Sequence, residues 1–233
     1  MAADSWEKKD FQKWSAQDCH KVLRDSPWGR TYNIQKTTMA QLNRDPFGQV
    51  PKAAATNTSP SNQEGLIDPR VTYWASFRSA KPVREAFARL AQLDAKLDQM
   101  NADQRKSFDE RQQKFLAAVF PDKIIIHVSY ESNSSDLDRD LALFWQTQTL
   151  STLKGFVYLT GPDGDRVEPT EYYVGKGALR EFQFAFPRRA DGDRDMNKPF
   201  ALEFQHPNII QSQRVYLKFP PPSEMKFEGA VTY

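Results

Sequence analysis

The strongest constraint on the fold is a change of hydrophobic period between residues 71 and 128. The side chains of residues 71–79 alternate between two faces, with Tyr73 and Phe77 on one face and Trp74 on the other. A period of two in β-branched and aromatic residues predicts a strand. This strand follows an Asp-Pro pair that marks the end of a loop.

The period then becomes helical. Ser79 is the expected N-cap, and Pro82 fits a first turn, where its missing N–H costs nothing. The expected apolar stripe is Val83, Ala86, Phe87, Leu90, Leu93 and Leu97. Six apolar residues at this spacing predict an amphipathic helix that covers a core.

A second helix and a second strand complete the unit. The helix is expected to start near Asn101 or Asp103, and its apolar face is Phe108, Phe115, Leu116 and Val119. Lys123–Tyr130 follows as a strand, and its three consecutive isoleucines indicate that both faces are covered. The sequence therefore predicts a β-α-α-β core unit.

The second half of the chain favours strands. Segments 153–159, 167–174 and 179–186 are each expected as a strand, as are short segments around Leu202, Leu217 and residues 227–233. Turn residues separate them, which is typical of antiparallel pairing. We predict an α+β fold with a C-terminal antiparallel β-sandwich or curved sheet.

The length of 233 residues and the aromatic content, with five Trp, eight Tyr and sixteen Phe, allow a substantial core. We predict a single domain over residues 1–233. Residues 45–69 hold four prolines among small polar residues, which predicts a mobile loop.

An N-terminal helix is expected over Ser15–Asp25, flanked by two tryptophans. One interpretation is that Trp14 and Trp28 clamp the helix onto the body. The alternative is an exposed aromatic site for a partner. Trp28 and Trp74 are the candidate partner-binding residues.

The sequence offers no catalytic, cofactor-binding or metal-binding motif. His20, His127 and His206 are dispersed, and a single cysteine, Cys19, excludes a zinc signature and an intrachain disulfide. Acidic residues at 191–195 lack the glycine and glutamate of a calcium loop and are expected at a solvated hairpin tip. Nucleophile, P-loop and dinucleotide motifs are absent.

Net charge and hydropathy limit the classes of partner that the chain is expected to bind. The net charge of +2, from 32 basic and 30 acidic residues, gives no electrostatic case for nucleic acid. No apolar run approaches the length of a membrane span, and no signal peptide is visible at the first residues.

Several fragments of the sequence carry a resemblance when they are taken together: Trp14-x4-Cys19-x3-Leu23-x2-Ser-Pro-Trp28, SAKPVREA at 79–86, FAFPR at 184–188, Lys218-Phe219 and MKFEG at 225–229. They resemble an uncharacterised family of exported bacterial proteins, whose members usually carry a signal peptide or lipoprotein signal. The resemblance implies a secreted, periplasmic or cell-envelope location and a one-domain layout, and no reaction. It would place a removed signal ahead of the present chain.

These observations favour a non-enzymatic exported or cell-envelope domain that binds a protein, a cell-envelope component or a ligand through its β-rich half. The alternative is a hydrolase-type enzyme with an unrecognised site. An enclosed pocket with converging titratable groups would favour the enzyme, and a flat aromatic patch would favour binding.

Overall fold

A computed structural model describes residues 9–35, 70–161, 164–175, 180–187, 199–207 and 214–220. The helices are α1 (Ala16–Arg24), α2 (Lys81–Asp94), α3 (Ala102–Leu116), α4 (Ser135–Thr147) and α5 (Leu150–Leu153), with single 3₁₀ turns at Phe11–Lys13 and Leu97–Gln99. The strands are β1 (Gly29–Gln35), β2 (Arg70–Phe77), β3 (Lys123–Ser132), β4 (Val157–Thr160), β5 (Arg166–Val167), β6 (Glu171–Val174), β7 (Glu181–Pro187), β8 (Phe200–Gln205) and β9 (Arg214–Phe219). The predicted α+β class is confirmed.

The strands form two antiparallel sheets. Sheet A has the order β1-β2-β3-β7-β6, and sheet B has the order β5-β4-β8-β9. In sheet A, Tyr73 lies opposite both Tyr32 and Tyr130, and Val128 lies opposite Phe182. This register puts the apolar residues of neighbouring strands on one face.

That face packs on sheet B through aromatic rings. Phe77 of β2 meets Phe219 of β9 edge to face, with ring centroids 4.7 Å apart. Tyr73 meets Phe204 of β8 in the same way at 5.1 Å. All four rings are buried. The two sheets therefore form a sandwich, and the predicted core unit supplies two of the five strands of sheet A, β2 and β3.

The predicted β-α-α-β unit is present as β2, α2, α3 and β3, with β2 and β3 adjacent and antiparallel. Helix α2 covers the outer face of sheet A, where the ring of Phe87 lies 4.8 Å from that of His127. The three isoleucines of β3 are buried, as expected for a strand covered on both faces.

Helix α1 packs against α2 and the first two strands. Ser15 is its N-cap, and Asp18 completes the capping box. Trp14 and Trp28 are 2% and 4% exposed, and Arg89 of α2 donates from Nε to the Trp14 carbonyl at 2.9 Å. The burial of both rings agrees with the clamp interpretation.

Two predicted strands need correction. Residues 153–159 are not one strand, because Thr149 and Thr152 form a capping box that starts α5, and β4 begins only at Val157. Residues 167–174 are not one hairpin return either. They divide into β5 in sheet B and β6 in sheet A. The chain joins sheet A at Thr170, whose N–H donates to the Ala185 carbonyl of β7 at 2.8 Å.

The helix details also differ. The N-cap of α2 is Ala80 and not Ser79, whose N–H is directed to the Ile125 carbonyl of β3 at 3.5 Å. Leu97 lies past the end of α2 in a 3₁₀ turn. Val119 lies past the end of α3 and is 66% exposed, so it covers no core. The predicted loop at 45–69 and the predicted strand at 227–233 lie outside the described residues.

Candidate functional site

A cleft of about 250 Å³ lies at one end of the sandwich. Helix α4 and the residues after it form one wall, α5 and the start of β4 form the floor, and the end of β8 forms the other wall. Its described lining residues are Phe144, Trp145, Gln148, Thr152, Leu153, Phe156, Val157, Gln205, His206 and Pro207.

Local sequence explains why the chain bends around this cleft. Thr149 caps the one-turn helix α5 directly after α4 ends, so the two helices meet at a corner. Gly155 then adopts a φ of 83°, a left-handed conformation that favours glycine. Its N–H donates to Glu168 Oε1 at 3.1 Å. The reversal at Gly155 delivers Phe156 and Val157 to the cleft.

The inner wall is aromatic. Trp145 is 2% exposed and stacks on Phe182 with centroids 4.1 Å apart, while Phe204 meets its edge at 5.6 Å. Phe144 meets the same indole edge to face at 5.1 Å. Phe156 is 54% exposed and lies at the mouth. The cleft thus has a rigid aromatic wall and one accessible aromatic ring at its rim.

Behind this wall lies a polar pair. The Tyr73 hydroxyl is 2.9 Å from Nδ1 of His206, and both residues are buried. Burial lowers the pKa of His206 to about 4, so its imidazole is neutral at neutral pH. Burial also raises the pKa of Tyr73 far above its usual value, so its hydroxyl keeps its proton.

Two buried nitrogens at the cleft have no hydrogen-bond partner among the described residues: Nε2 of His206 and Nε1 of Trp145. The Trp145 indole N–H slightly offsets the rise in the pKa of the Tyr73 hydroxyl. The contact between these two groups does not have the geometry of a hydrogen bond. Unpaired buried polar atoms are costly, and they are common where a ligand or water completes the bonding.

The cleft carries little reactive chemistry. None of its described lining residues is charged. Its only described hydroxyl, on Thr152, bonds to Gln148 Oε1 at 2.9 Å and to the Thr149 carbonyl. A neutral histidine with a depressed pKa is a weak base at neutral pH. This arrangement can hold an apolar molecule and offer it a hydrogen bond.

The candidate residues Trp28 and Trp74 are not among the described lining residues of the cleft. Trp28 is buried, so a partner would reach its ring only if the fold opened locally. Trp74 is partly exposed on the outer face of sheet A, where the Arg24 guanidinium lies 4.1 Å from its ring centroid. A partner at Trp74 would compete with this cation–π contact. Partner binding by either residue stays a prediction.

Two other polar clusters carry structural roles. His127 Nε2 lies 3.2 Å from Glu181 Oε2 between α2 and sheet A. On the outer side of α4, a depression of about 500 Å³ contains Asp138 and Arg180, which form an ion pair at 2.7 Å. Asp138 also accepts from the Ser132 N–H at 2.9 Å. These charges are already paired within the fold.

The described residues contain neither a cluster of metal ligands nor a helix suited to cross a membrane. No group of three or more His, Cys, Asp or Glu side chains within them is arranged to hold a metal ion. None of the described helices is both long and apolar enough to cross a membrane. The acidic segment 191–195 lies outside the described residues.

The cleft is not apparent from the sequence. His206 is only one of three dispersed histidines there, and no motif singles out Trp145. The residues meet only because β8 ends beside the α4–α5 corner, which no local pattern encodes. A weak signal existed in the polar residues Gln205 and His206, which follow the alternating apolar residues of a strand and precede Pro207.

No family model matches this chain. Comparison with curated proteins and with solved structures also found no match. The resemblance to exported bacterial proteins therefore stays a prediction, and the function must be argued from the site.

Proposed function

We propose that this protein is a non-enzymatic binding domain that holds a small, mostly apolar ligand in the cleft between α4, α5 and β8. The observation that carries the proposal is the combination of an aromatic wall at Trp145 with unpaired nitrogens on Trp145 and His206. Ligand sites typically combine apolar walls with a few placed polar groups.

The volume limits the ligand. An apolar cavity of about 150 Å³ in another protein holds benzene. The present cleft, at about 250 Å³, therefore suits one substituted ring or a small fused pair. With roughly 0.3–0.5 kcal/mol for each of about ten heavy atoms, such a ligand binds in the millimolar range unless its fit is unusually good.

Hydrolysis is the weaker candidate. A hydrolase of the nucleophile type needs a hydroxyl or thiol activated by an adjacent base. In the described cleft, Thr152 is engaged with Gln148, and one nitrogen of His206 is engaged with Tyr73. A binding role requires neither activation nor charge.

A fragment screen by NMR tests the proposal. We expect single-ring fragments at millimolar concentration to shift the Trp145 indole N–H and the amides of Phe156 and His206. Phe156→Ala should weaken binding several-fold, because it removes the accessible ring at the mouth. The matched control is Tyr216→Ala, which removes a ring that is 46% exposed on the outer face of sheet B.

Two outcomes would count against the proposal. One is that no fragment of this size perturbs the cleft resonances. The other is that Phe156→Ala and Tyr216→Ala weaken binding equally, which would indicate nonspecific association with exposed aromatic rings.

An exported or cell-envelope location is a separate part of the proposal. Its support is the set of fragments that resemble exported bacterial proteins, including residues 79–86 and 184–188. Fractionation of the native host with an antibody to this chain tests it. Recovery in the cytoplasmic fraction alone would remove this part and leave the cleft proposal intact.

A further inference from the structure

The hydrogen-bond roles at the cleft follow from the Tyr73–His206 pair. A neutral imidazole carries one N–H, on either Nδ1 or Nε2. If Nδ1 carried the hydrogen, it would donate to the Tyr73 oxygen, and the Tyr73 O–H would need another acceptor. Tyr73 has no other acceptor among the described residues, since His206 is its one hydrogen-bond partner and Trp145 only donates.

The other arrangement gives the Tyr73 O–H an acceptor. Tyr73 donates its O–H to Nδ1 of His206, and the Tyr73 oxygen keeps its lone pairs toward the Trp145 indole N–H. The hydrogen of His206 then resides on Nε2. This tautomer pairs the Tyr73 hydroxyl, which does not line the cleft, and leaves unpaired the N–H of His206, which does line it, so that water or a ligand can complete the bonding there.

The ring geometry directs this donor away from Tyr73. Nδ1 and Nε2 lie on different edges of the imidazole, and the Nδ1 edge faces Tyr73. His206 lines the cleft and Tyr73 does not. The unpaired Nε2 therefore points away from Tyr73, on a residue that lines the cleft.

We propose that the cleft ligand is a neutral aromatic molecule with a carbonyl-type oxygen, and that His206 Nε2–H donates a hydrogen bond to that oxygen. This rests on the proposed function, because it assigns the chemistry of the same cleft. The donor requires an acceptor, and the aromatic wall at Trp145 and Phe144 requires a flat apolar body.

The absence of charged side chains among the described lining residues favours a ketone or amide over a carboxylate as the ligand's oxygen group. The described lining residues include no Lys, Arg or protonated His to pair an anion. Moving a carboxylate from water into such a site costs more than one hydrogen bond returns.

The first test needs no ligand. Long-range ¹H–¹⁵N spectra of the imidazoles distinguish the two tautomers, and the spectrum of His206→Phe assigns the signal among the three histidines. We expect the Nε2–H form in the free protein. Tyr73→Phe should give a mixture, because both ring nitrogens are then unpaired. Tyr130→Phe removes the hydroxyl of a neighbouring buried tyrosine and should leave the tautomer unchanged.

The second test uses acetophenone, α-methylstyrene and benzoate, which have nearly the same size and differ in the group beside the ring. The ketone loses more hydration free energy than the alkene when it leaves water, so the two affinities cannot be compared directly. The informative quantity is the change in their affinity ratio between variants. From wild type to His206→Phe, the preference for the ketone over the alkene should fall by about 3- to 10-fold. Benzoate should bind wild type at least tenfold more weakly than acetophenone.

The outcomes separate the two proposals. If none of the three probes binds wild type at millimolar concentration, the binding function is rejected, and the ligand chemistry falls with it. If the probes bind but the ratio is the same in His206→Phe, or benzoate binds best, the binding function stands and the carbonyl assignment is wrong. An Nδ1–H tautomer in free wild-type protein overturns the assignment without any ligand. Melting curves check that His206→Phe remains folded. Tyr73→Phe keeps the aromatic ring, so it changes the hydrogen bond with little change in packing.

Discussion

Replacing Trp28 by alanine tests how α1 is held on the body. Trp28 is 4% exposed, and its backbone is fixed on both sides: its N–H donates to Ser26 Oγ at 3.1 Å, and its carbonyl accepts from Phe77 N–H at 3.0 Å. The main chain is therefore expected to stay in place while the indole leaves a cavity. Removal of a buried Trp side chain costs about 3–5 kcal/mol.

The length of the chain determines how far this loss of stability lowers the melting temperature. For a domain of this length, each kcal/mol lowers the melting temperature by roughly 2–4 °C, so Trp28→Ala should melt about 6–20 °C lower. Urea unfolding followed by circular dichroism gives the free energy directly. The Cys19 thiol, which is fully buried on α1, provides a second readout, because undocking of α1 would expose it to a thiol reagent.

Trp74→Ala is the matched control. Trp74 is partly exposed, and its main identified contact is the Arg24 guanidinium, worth about 0.5–1 kcal/mol. It should therefore lose much less stability than Trp28→Ala. A Trp28→Ala protein that unfolds within about 1 kcal/mol of wild type would refute the clamp and restore Trp28 as a recognition residue.

Three further perturbations have definite expected outcomes. Gly29→Ala should destabilise the protein by at least about 2 kcal/mol in urea, because the added Cβ would lie 2.4 Å from the backbone of Leu23. The hydrogen bond from His127 holds the pKa of Glu181 below its usual range, although burial opposes this effect. The stabilisation is therefore present above the unfolded-state pKa of about 4.3 and is lost as the pH falls through the folded-state pKa, so Glu181→Gln should flatten the stability curve in that acidic range. Burial raises the pKa of Cys19 to about 11, so its thiol should react with a disulfide reagent at neutral pH only after unfolding.

Each of these has a contrary result. Gly29→Ala with unchanged stability would mean that the turn relaxes away from α1. Identical acid unfolding of wild type and Glu181→Gln would mean that His127 does not favour the ionised carboxylate. Rapid labelling of native Cys19 would show that α1 opens often.

Local patterns predicted the elements that local forces determine. The alternation at 71–79 and the helical stripe from Val83 gave β2 and α2, and the capping residues Ser15 and Asn101 gave the starts of α1 and α3. In each case the information lies within about one or two turns of the residue concerned.

Local patterns could not predict which strands pair with each other. Residues 167–174 were expected as one strand, but β5 pairs with β4 and β6 pairs with β7. Pro169, which has no N–H for a strand ladder, lies between them and is a local sign of the break. Which sheet each part joins depends on distant partners. The cleft has the same origin, since His206 meets Tyr73, 133 positions away in the sequence.

The junction between β1 and β9 has a consequence for synthesis. Arg30 donates from Nε to the Lys218 carbonyl at 2.8 Å, and the Tyr32 hydroxyl donates to the Arg214 carbonyl at 3.2 Å, so this seam joins residues up to 188 positions apart. A nascent chain that has emerged only through β7 still lacks the rings of β8 and β9 that cover Phe77. Folding of the sandwich must therefore wait for the late strands, which makes it slow and leaves an aromatic sheet face open to chaperones in the meantime.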